Sequence, residues 1–504
     1  MTVRRTSGPA GRRALVALVC LAALSACGTR VEGTAIEAGA GGGAVRLSPQ
    51  TLAQLQPDPA KAAAAAATGI AAPVTQQAGA APTTTVKTAS EKAVTTGAVV
   101  APAASHAAAA LAAATGKAGP AVAAPAADAA CHADAAPVPI GQIGTFSGVA
   151  GPITISARNM LGAWAKDINT RGGLACHLVE VYSEDDGGDP ARAASEVQQM
   201  VASHHVVAFV ASEVPLSIGG FRPALEAAKV PEIGGLAGTS DFFESRWIFP
   251  ESAALDDQAI GLFRQGADLG HRRVGLLYCV EAPVCTEVDK RARAGTVKAA
   301  GAELVYDAPV SVAQPDYTAQ CLNARDAKVD LFTLALDGAS VGRVIRSCQA
   351  IGYRPLLGTG GGLLTPAQAT DPTLRAFGAV SVSAEAPWIL NDTPGLREYH
   401  QALARWLPNQ VADGTSVMAW ASAKLLEAAV THLPVAARTG QVTAAMLVTA
   451  LGGVHDNSLG GLTGPLTFSP GEQHAVSNGC VFYELLGPSG WTAPHGSKPV
   501  CVTH

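Results

Sequence analysis

Between residues 138 and 351, short apolar runs of strand character alternate with amphipathic stretches of helix length, and few folds accept that order. Residues 138–144, 178–183, 206–211, 274–278 and 329–336 read as strands. Residues 153–169, the stretch opening at Asp189-Pro190, and residues 217–228, 286–300 and 339–351 read as helices. At Asp189-Pro190 the start signal is explicit, with Asp as N-cap and Pro at the first helical position, where its missing N–H costs nothing. Such alternation specifies an α/β fold, a parallel sheet with helices on both faces. The pattern restarts near Val274, and about 370 residues from Cys131 onward exceed one ordinary core, so two Rossmann-like lobes are expected.

The segments before this body are a different kind of polymer. Residues 31–130 hold no Phe, Trp or Tyr, and their five acids balance five bases. Ala dominates, and its side chain buries too little area to offset chain entropy, while Pro and Gly interrupt any helix. The stretch reads as a largely disordered tether with transient helix, although low-complexity drift in a GC-rich genome explains the composition equally well. Residues 1–26 carry Arg4, Arg5, Arg12 and Arg13 and no acid, then an apolar run over residues 14–24. That run is too short to span a bilayer but suits an export signal. It ends in Leu24-Ser25-Ala26-Cys27, which resembles the lipobox of bacterial lipoproteins and implies lipidation at Cys27. The boundaries expected are signal 1–26, tether 27–137, first lobe 138–253 plus 384–467, and second lobe 254–383 plus 468–504.

With 35 basic against 40 acidic residues, the chain offers no excess to displace counterions from nucleic acid. Loss of the signal would remove four arginines, so contact with a membrane would rest on the acyl chains and not on basic patches. Of ten cysteines, Cys20 would leave with the signal and Cys27 would carry lipid. The even remainder in an exported chain suggests disulfides, and proximity suggests Cys131–Cys176, Cys279–Cys285, Cys321–Cys348 and Cys480–Cys501. Sequence alone leaves on the order of a hundred connectivities open.

In open parallel sheets, ligands sit beyond the carboxyl ends of the strands. Three loops there are rich in Gly and small hydroxyls: Thr145-Phe146-Ser147-Gly148, Ser212-Glu213-Val214 and Leu236-Ala237-Gly238-Thr239-Ser240. Free N–H groups at helix starts, together with oriented hydroxyls, could hold a carboxylate or another acceptor. The plain alternative is that they are turns and helix caps.

The order of these motifs resembles the branched-chain amino-acid type of solute-binding protein, the receptors of ABC importers with the type I periplasmic binding fold. Ile140-Gly141-Gln142-Ile143-Gly144-Thr145-Phe146-Ser147-Gly148 is similar to that family's opening strand and loop. Arg171-Gly172-Gly173-Leu174, Val179-Glu180-Val181, Glu184-Asp185-Asp186 and Asp189-Pro190 follow in the family's order, as do Lys229-Val230-Pro231 and Gly238-Thr239-Ser240. Leu462-Thr463-Gly464-Pro465-Leu466-Thr467-Phe468 resembles its C-terminal motif. The resemblance implies lobes joined by crossings near Ser252, Ser383 and Phe468, closing on a small solute. It implies first-lobe contacts from Ser212, Ala237 and Thr239, and second-lobe contacts from the loop after Tyr278 and from Asp337 to Ser340. It also implies permease and ATPase partners, a monomer and no cofactor.

The departures concern ligand chemistry. Amino-acid binders of this type place an aromatic in the loop that here reads Glu281-Ala282-Pro283-Val284-Cys285. They also place a carboxylate where this chain has Gly358-Thr359-Gly360-Gly361-Gly362. An ammonium buried without a partner is costly, so an α-amino acid fits only if Asp337 or Glu385 takes over. Trp388, beside Glu385, is either a cleft wall or a core residue.

No phosphate loop, dinucleotide fingerprint or Gly-x-Ser-x-Gly elbow occurs in a supporting context. Glu184-Asp185-Asp186 lacks EF-hand spacing and reads as a solvated strand end; His204-His205 lacks zinc-ligand partners and reads as a solvated helix end. The expectation is a lipid-anchored extracytoplasmic solute receptor without catalysis. Its rivals are a sensor of the same fold that signals to a membrane partner without transport, and, less supported, a hydrolase.

Overall fold

The computed structural model describes residues 135–148, 150–236, 238–360, 364–438, 440–472, 475 and 477–502. The signal, Cys27, the tether up to Asp134, Cys131, Ala237 and Gly361-Gly362 lie outside the described residues.

The first lobe opens with β1 (Val138–Gly144), α1 (Gly151–Thr170), β2 (Val179–Asp185), α2 (Pro190–Ser203), β3 (Ala208–Val210), α3 (Ile218–Ala228), β4 (Glu232–Ile233) and β5 (Ile248–Phe249). These strands form a parallel sheet in the order β2-β1-β3-β4-β5. The chain then enters the second lobe: α4 (Leu255–Asp268), β6 (Arg273–Cys279), α5 (Pro283–Arg291), β7 (Glu303–Val310), α6 (Thr318–Asp326), β8 (Leu331–Ala335), α7 (Gly338–Ala350), β9 (Leu356–Gly360), α8 (Pro372–Phe377) and β10 (Ala379–Ser383). It returns to the first lobe as α9 (Pro394–Trp406), α10 (Gly414–Val430) and α11 (Ala444–Leu451). Finally β11 (Cys480–Gly487), β12 (Gly490–Thr492) and β13 (Val500–Cys501) complete the second sheet, β12-β11-β10-β9-β8-β6-β7, with β13 on β11. From β6 to β10 this sheet is parallel; β11 runs antiparallel to β10. This is the α/β architecture expected from the alternation.

Each sheet is buried on both faces, which is why its strands are apolar runs and not alternating ones. One face of the first sheet packs Ile140, Val210 and Ile233 on Trp164 of α1 and Trp420 of α10. The other packs Ile143 and Phe209 on Val197 of α2 and Phe221 of α3. The second sheet has the same layering, with Leu277, Phe332 and Val344 on one side and Val274, Leu276 and Phe263 on the other. The N-cap read from the sequence is in place: the Asp189 carboxylate accepts the N–H groups of Ala191 and Arg192. Disulfides join Cys279 to Cys285, Cys321 to Cys348 and Cys480 to Cys501.

The chain passes between the sheets at residues 250–254 and 384–386, and again after residue 468, where residues 469–472, 475 and 477–479 are described. The first crossing is tied to the third, and the second to residues 462–463 of the returning chain. The Ala254 N–H donates to Ser477 Oγ at 2.8 Å, and the Ala386 N–H donates to the Leu462 carbonyl at 2.7 Å. Glu385 pairs antiparallel with Thr463.

Candidate solute-binding site

The loops that follow the strand carboxyl ends of the two sheets meet. Ser240, after β4, donates its hydroxyl to Glu287 Oε1 of α5, after β6, at 3.2 Å. The same Glu287 accepts from Arg291 at 2.8 Å, one turn along α5, and Arg291 also reaches Asp256 at 3.1 Å. These partners hold the Glu287 carboxyl below its ordinary value, against the opposing effect of burial.

The first-lobe rim is organised by Asp186. Of the expected solvated strand end 184–186, Glu184 is exposed, but Asp186 is fully buried, which corrects that expectation for it. It accepts the Thr145 hydroxyl at 2.8 Å, the Gly188 N–H at 2.6 Å and the Ser217 hydroxyl. Those donors lie on three separate segments, so one carboxylate ties the loop after β1 to the loop after β2 and the start of α3. Beside it, Asp185 accepts the N–H groups of Phe146 and Gly187, each within 3.0 Å. Burial acts to raise its pKa, but the Ser147 hydroxyl and these N–H groups bring it below the ordinary carboxylate range.

Away from that contact, a group of buried acids gathers after β3, in β4 and on the first two crossings. Glu232, at the start of β4, receives the Ser212 N–H at 2.9 Å and the Ser212 hydroxyl at 2.8 Å, one on each carboxylate oxygen. Gly235 packs so closely there that a Cβ would lie 2.9 Å from Glu232 Oε1 and 2.8 Å from the Ser212 carbonyl, and its φ of +97° also requires glycine. Glu251, on the first crossing, lies 2.7 Å from the Ser422 hydroxyl of α10. Glu213 follows β3 and pairs through its backbone with Gly144 at the end of β1. Both of its carboxylate oxygens are buried without a hydrogen-bond partner, as are Glu385 Oε1, Glu251 Oε2, Ser252 Oγ and Thr463 Oγ1. Burial raises the pKa of Glu213 well above the carboxylate range, and the neighbouring Glu251, Glu385, Asp413 and Glu232 raise it further. Glu385 is raised by burial and by Glu251 and Glu484; Glu251 is pushed up to about 7, chiefly by burial.

The residues picked out from sequence thus divide by what their side chains do. Thr145 and Ser212 use their hydroxyls on Asp186 and Glu232. Asp337 caps α7, accepting the N–H groups of Ala339 at 2.9 Å and Ser340 at 3.1 Å. Trp388 packs against the first-lobe core. Ser147 is exposed at the rim and Thr239 is buried beside Ser240. Glu213 and Glu385 are both buried, and Glu385 is among the acids that raise the Glu213 pKa. Sequence reasoning missed Glu232, Glu251 and Thr463. An acid inside an apolar strand, as in Pro231-Glu232-Ile233, was the available signal for the first. A groove of about 610 Å³ opens to one side, between Ile153, Ser156 and Asn159 of α1, the loop 407–411, and Thr365-Pro366-Ala367 of the second lobe. None of the described residues singled out from sequence lines it.

The comparisons agree with this architecture. The family model described as periplasmic binding protein matches residues 137–488, and the chain belongs to that family. A possible leucine/isoleucine/valine-binding protein from Rhodopirellula baltica superposes with a TM-score of 0.62 at 19% identity, over 73% of this chain and 98% of that one. A branched-chain amino-acid ABC transporter protein from Thermus thermophilus, with bound valine, gives 0.63 at 14% identity over 72% and 96%. An ABC-transporter solute-binding protein from R. palustris, in complex with benzoate, gives 0.59 at 14% identity over 73% and 98%. No curated protein matches the chain. Among the described residues, no helix is long and apolar enough to cross a membrane.

Proposed function

We propose that this protein is the solute receptor of an ABC importer, held on the extracytoplasmic face of the membrane by lipid on Cys27 and carried outward by residues 27–137. It closes its two lobes on a small polar solute and presents the closed form to permease and ATPase subunits. The observation that carries the reading is the meeting of Ser240 and Glu287, because it brings the ligand-binding ends of two parallel sheets face to face across braced crossings. Solutes named for relatives, valine and benzoate among them, belong to the same small polar class. Glu213 and Glu385 are the sequence-derived residues best placed to touch the solute, since both carboxylate oxygens of the first and one of the second lack the hydrogen bonds that occupy Thr145, Ser212 and Asp337, and Thr239 lies beside the Ser240 contact.

The test is twofold. Detergent phase partition of the full chain against Cys27→Ser should move the protein from the detergent to the aqueous phase. Uptake of the solute identified by binding should be lost on deleting the gene and restored by the wild-type chain. Retention of uptake in the deletion strain would contradict the transport role.

A further inference from the structure

One short helix reaches across to the first lobe. Val284 and Glu287, three residues apart, share a face of α5. That face meets the loop after β4 twice. Glu287 takes the Ser240 hydroxyl at 3.2 Å, and Val284 sits against Gly238, where an added Cβ would lie 3.8 Å from Val284 Cγ2. A polar and an apolar contact thus both come from the first five residues of a nine-residue helix.

Such a helix start needs holding in place. Asp189 and Asp337 do this for α2 and α7 by accepting N–H groups of the first turn. At α5 the corresponding residue is Ala282, whose side chain accepts nothing, and a helix this short is marginal by itself. A covalent bond pins it instead. Cys279 is the last residue of β6 and Cys285 the third of α5, so their disulfide spans the connection 280–282 and ties the first helical turn to the strand end. The length of chain closed shows what this bond does. At a separation of 6 residues it removes less freedom from the unfolded chain than Cys321–Cys348 or Cys480–Cys501, at 27 and 21. It is the weakest of the three as a general staple, and it lies beside the contact between the lobes.

We propose that the Cys279–Cys285 bond is the positioning element of lobe closure. It holds the uncapped first turn of α5 where Val284 meets Gly238 and Glu287 meets Ser240, and its loss favours the open lobes. The inference rests on the receptor reading and names what sets the strength of its closing contact. The two cysteines touch no solute in this account; they act through Val284 and Glu287.

The test needs no solute. Spin labels at Asn159 and Ala367 of the full chain, attached without thiol chemistry, report the ratio of near to far lobe separations by electron–electron resonance. The ratio is read in wild type, in Cys279→Ala/Cys285→Ala, in Val284→Ala and in all three substitutions together. The proposal expects it to fall about two- to tenfold in the cysteine pair, the worth of one partly exposed contact, and to fall in Val284→Ala. The triple variant should fall no further than the cysteine pair, because without the bond Val284 no longer meets Gly238. Cys321→Ala/Cys348→Ala, which removes a longer-range bond from other elements, should keep the wild-type ratio. A bond that merely stabilises its own lobe would lower the urea midpoint without moving the ratio. Should the Cys279→Ala/Cys285→Ala chain not fold, phosphine reduction of the folded wild type, with the freed thiols located by alkylation and mass spectrometry, gives the same comparison. A ratio unchanged by loss of the Cys279–Cys285 bond, or lowered equally by loss of either bond, overturns the proposal. The receptor reading, which uptake tests, would still stand.

Discussion

Ser240 and Glu287 join the two lobes by one hydrogen bond, and Glu287 has a second partner in Arg291 on its own helix. Breaking the contact would therefore leave the Glu287 charge paired within α5. Ser240→Ala should weaken solute binding by about two- to tenfold, the worth of one ordinary, partly exposed hydrogen bond, with little change in melting temperature. Calorimetric titration beside a thermal melt distinguishes this from a general loss of stability.

Asp186 is the opposite case, a buried carboxylate whose partners all belong to the first-lobe rim. Asp186→Ala removes acceptors for Thr145, Ser217 and the Gly188 N–H and leaves buried donors unmatched. The expected loss is about 2–4 kcal/mol in urea unfolding, with the slope unchanged. A loss below about 0.5 kcal/mol would show that the loops do not depend on it.

The buried acids set a direction for stability against pH. Burial raises Glu251 and Glu484 to about 7 each, above the value near 4.5 that they take in the unfolded chain. The folded state thus holds protons that the unfolded state has released. Their contribution is complete below the unfolded value and is lost as pH rises towards 7. Without solute, melting temperature should fall between about pH 5 and pH 8, by an amount worth a few kcal/mol. Glu484→Gln should flatten that slope; a wild-type midpoint that climbs over the same range would reverse the sign argued here.

The Cys321–Cys348 bond ties α6 to α7 across 27 residues of chain. Replacing both cysteines with Ala should cost about 3 kcal/mol through the freer unfolded chain, read as a lower urea midpoint. The proposed contacts Glu213 and Glu385 lie on other elements, so solute affinity should hold.

What the sequence made legible was whatever depends on neighbours along the chain. The Asp189-Pro190 start is local chemistry, and structure and sequence agree on it. The apolar runs marked the strands because both faces of each sheet are covered, although ends shifted by a residue or two, as at β2, which ends at Asp185. Asp337 shows the limit: an Asp before Gly-Ala-Ser reads equally as a helix cap or a ligand contact, and only its bonds to Ala339 and Ser340 reveal the cap. Asp186 looked solvated because Thr145 and Ser217, which bury it, come from distant segments. Glu213, Glu232, Glu251 and Glu385 are isolated acids in the sequence. They become a cluster only when β3, β4 and two crossings converge.

The account's central claim is that two lobes close on a solute. Double electron–electron resonance between spin labels at Asn159 on α1 and Ala367 in the second lobe spans the groove between them. With the solute found by screening, the account predicts that a broad distance distribution narrows to one shorter separation at saturation. The same distribution with and without saturating solute would contradict closure.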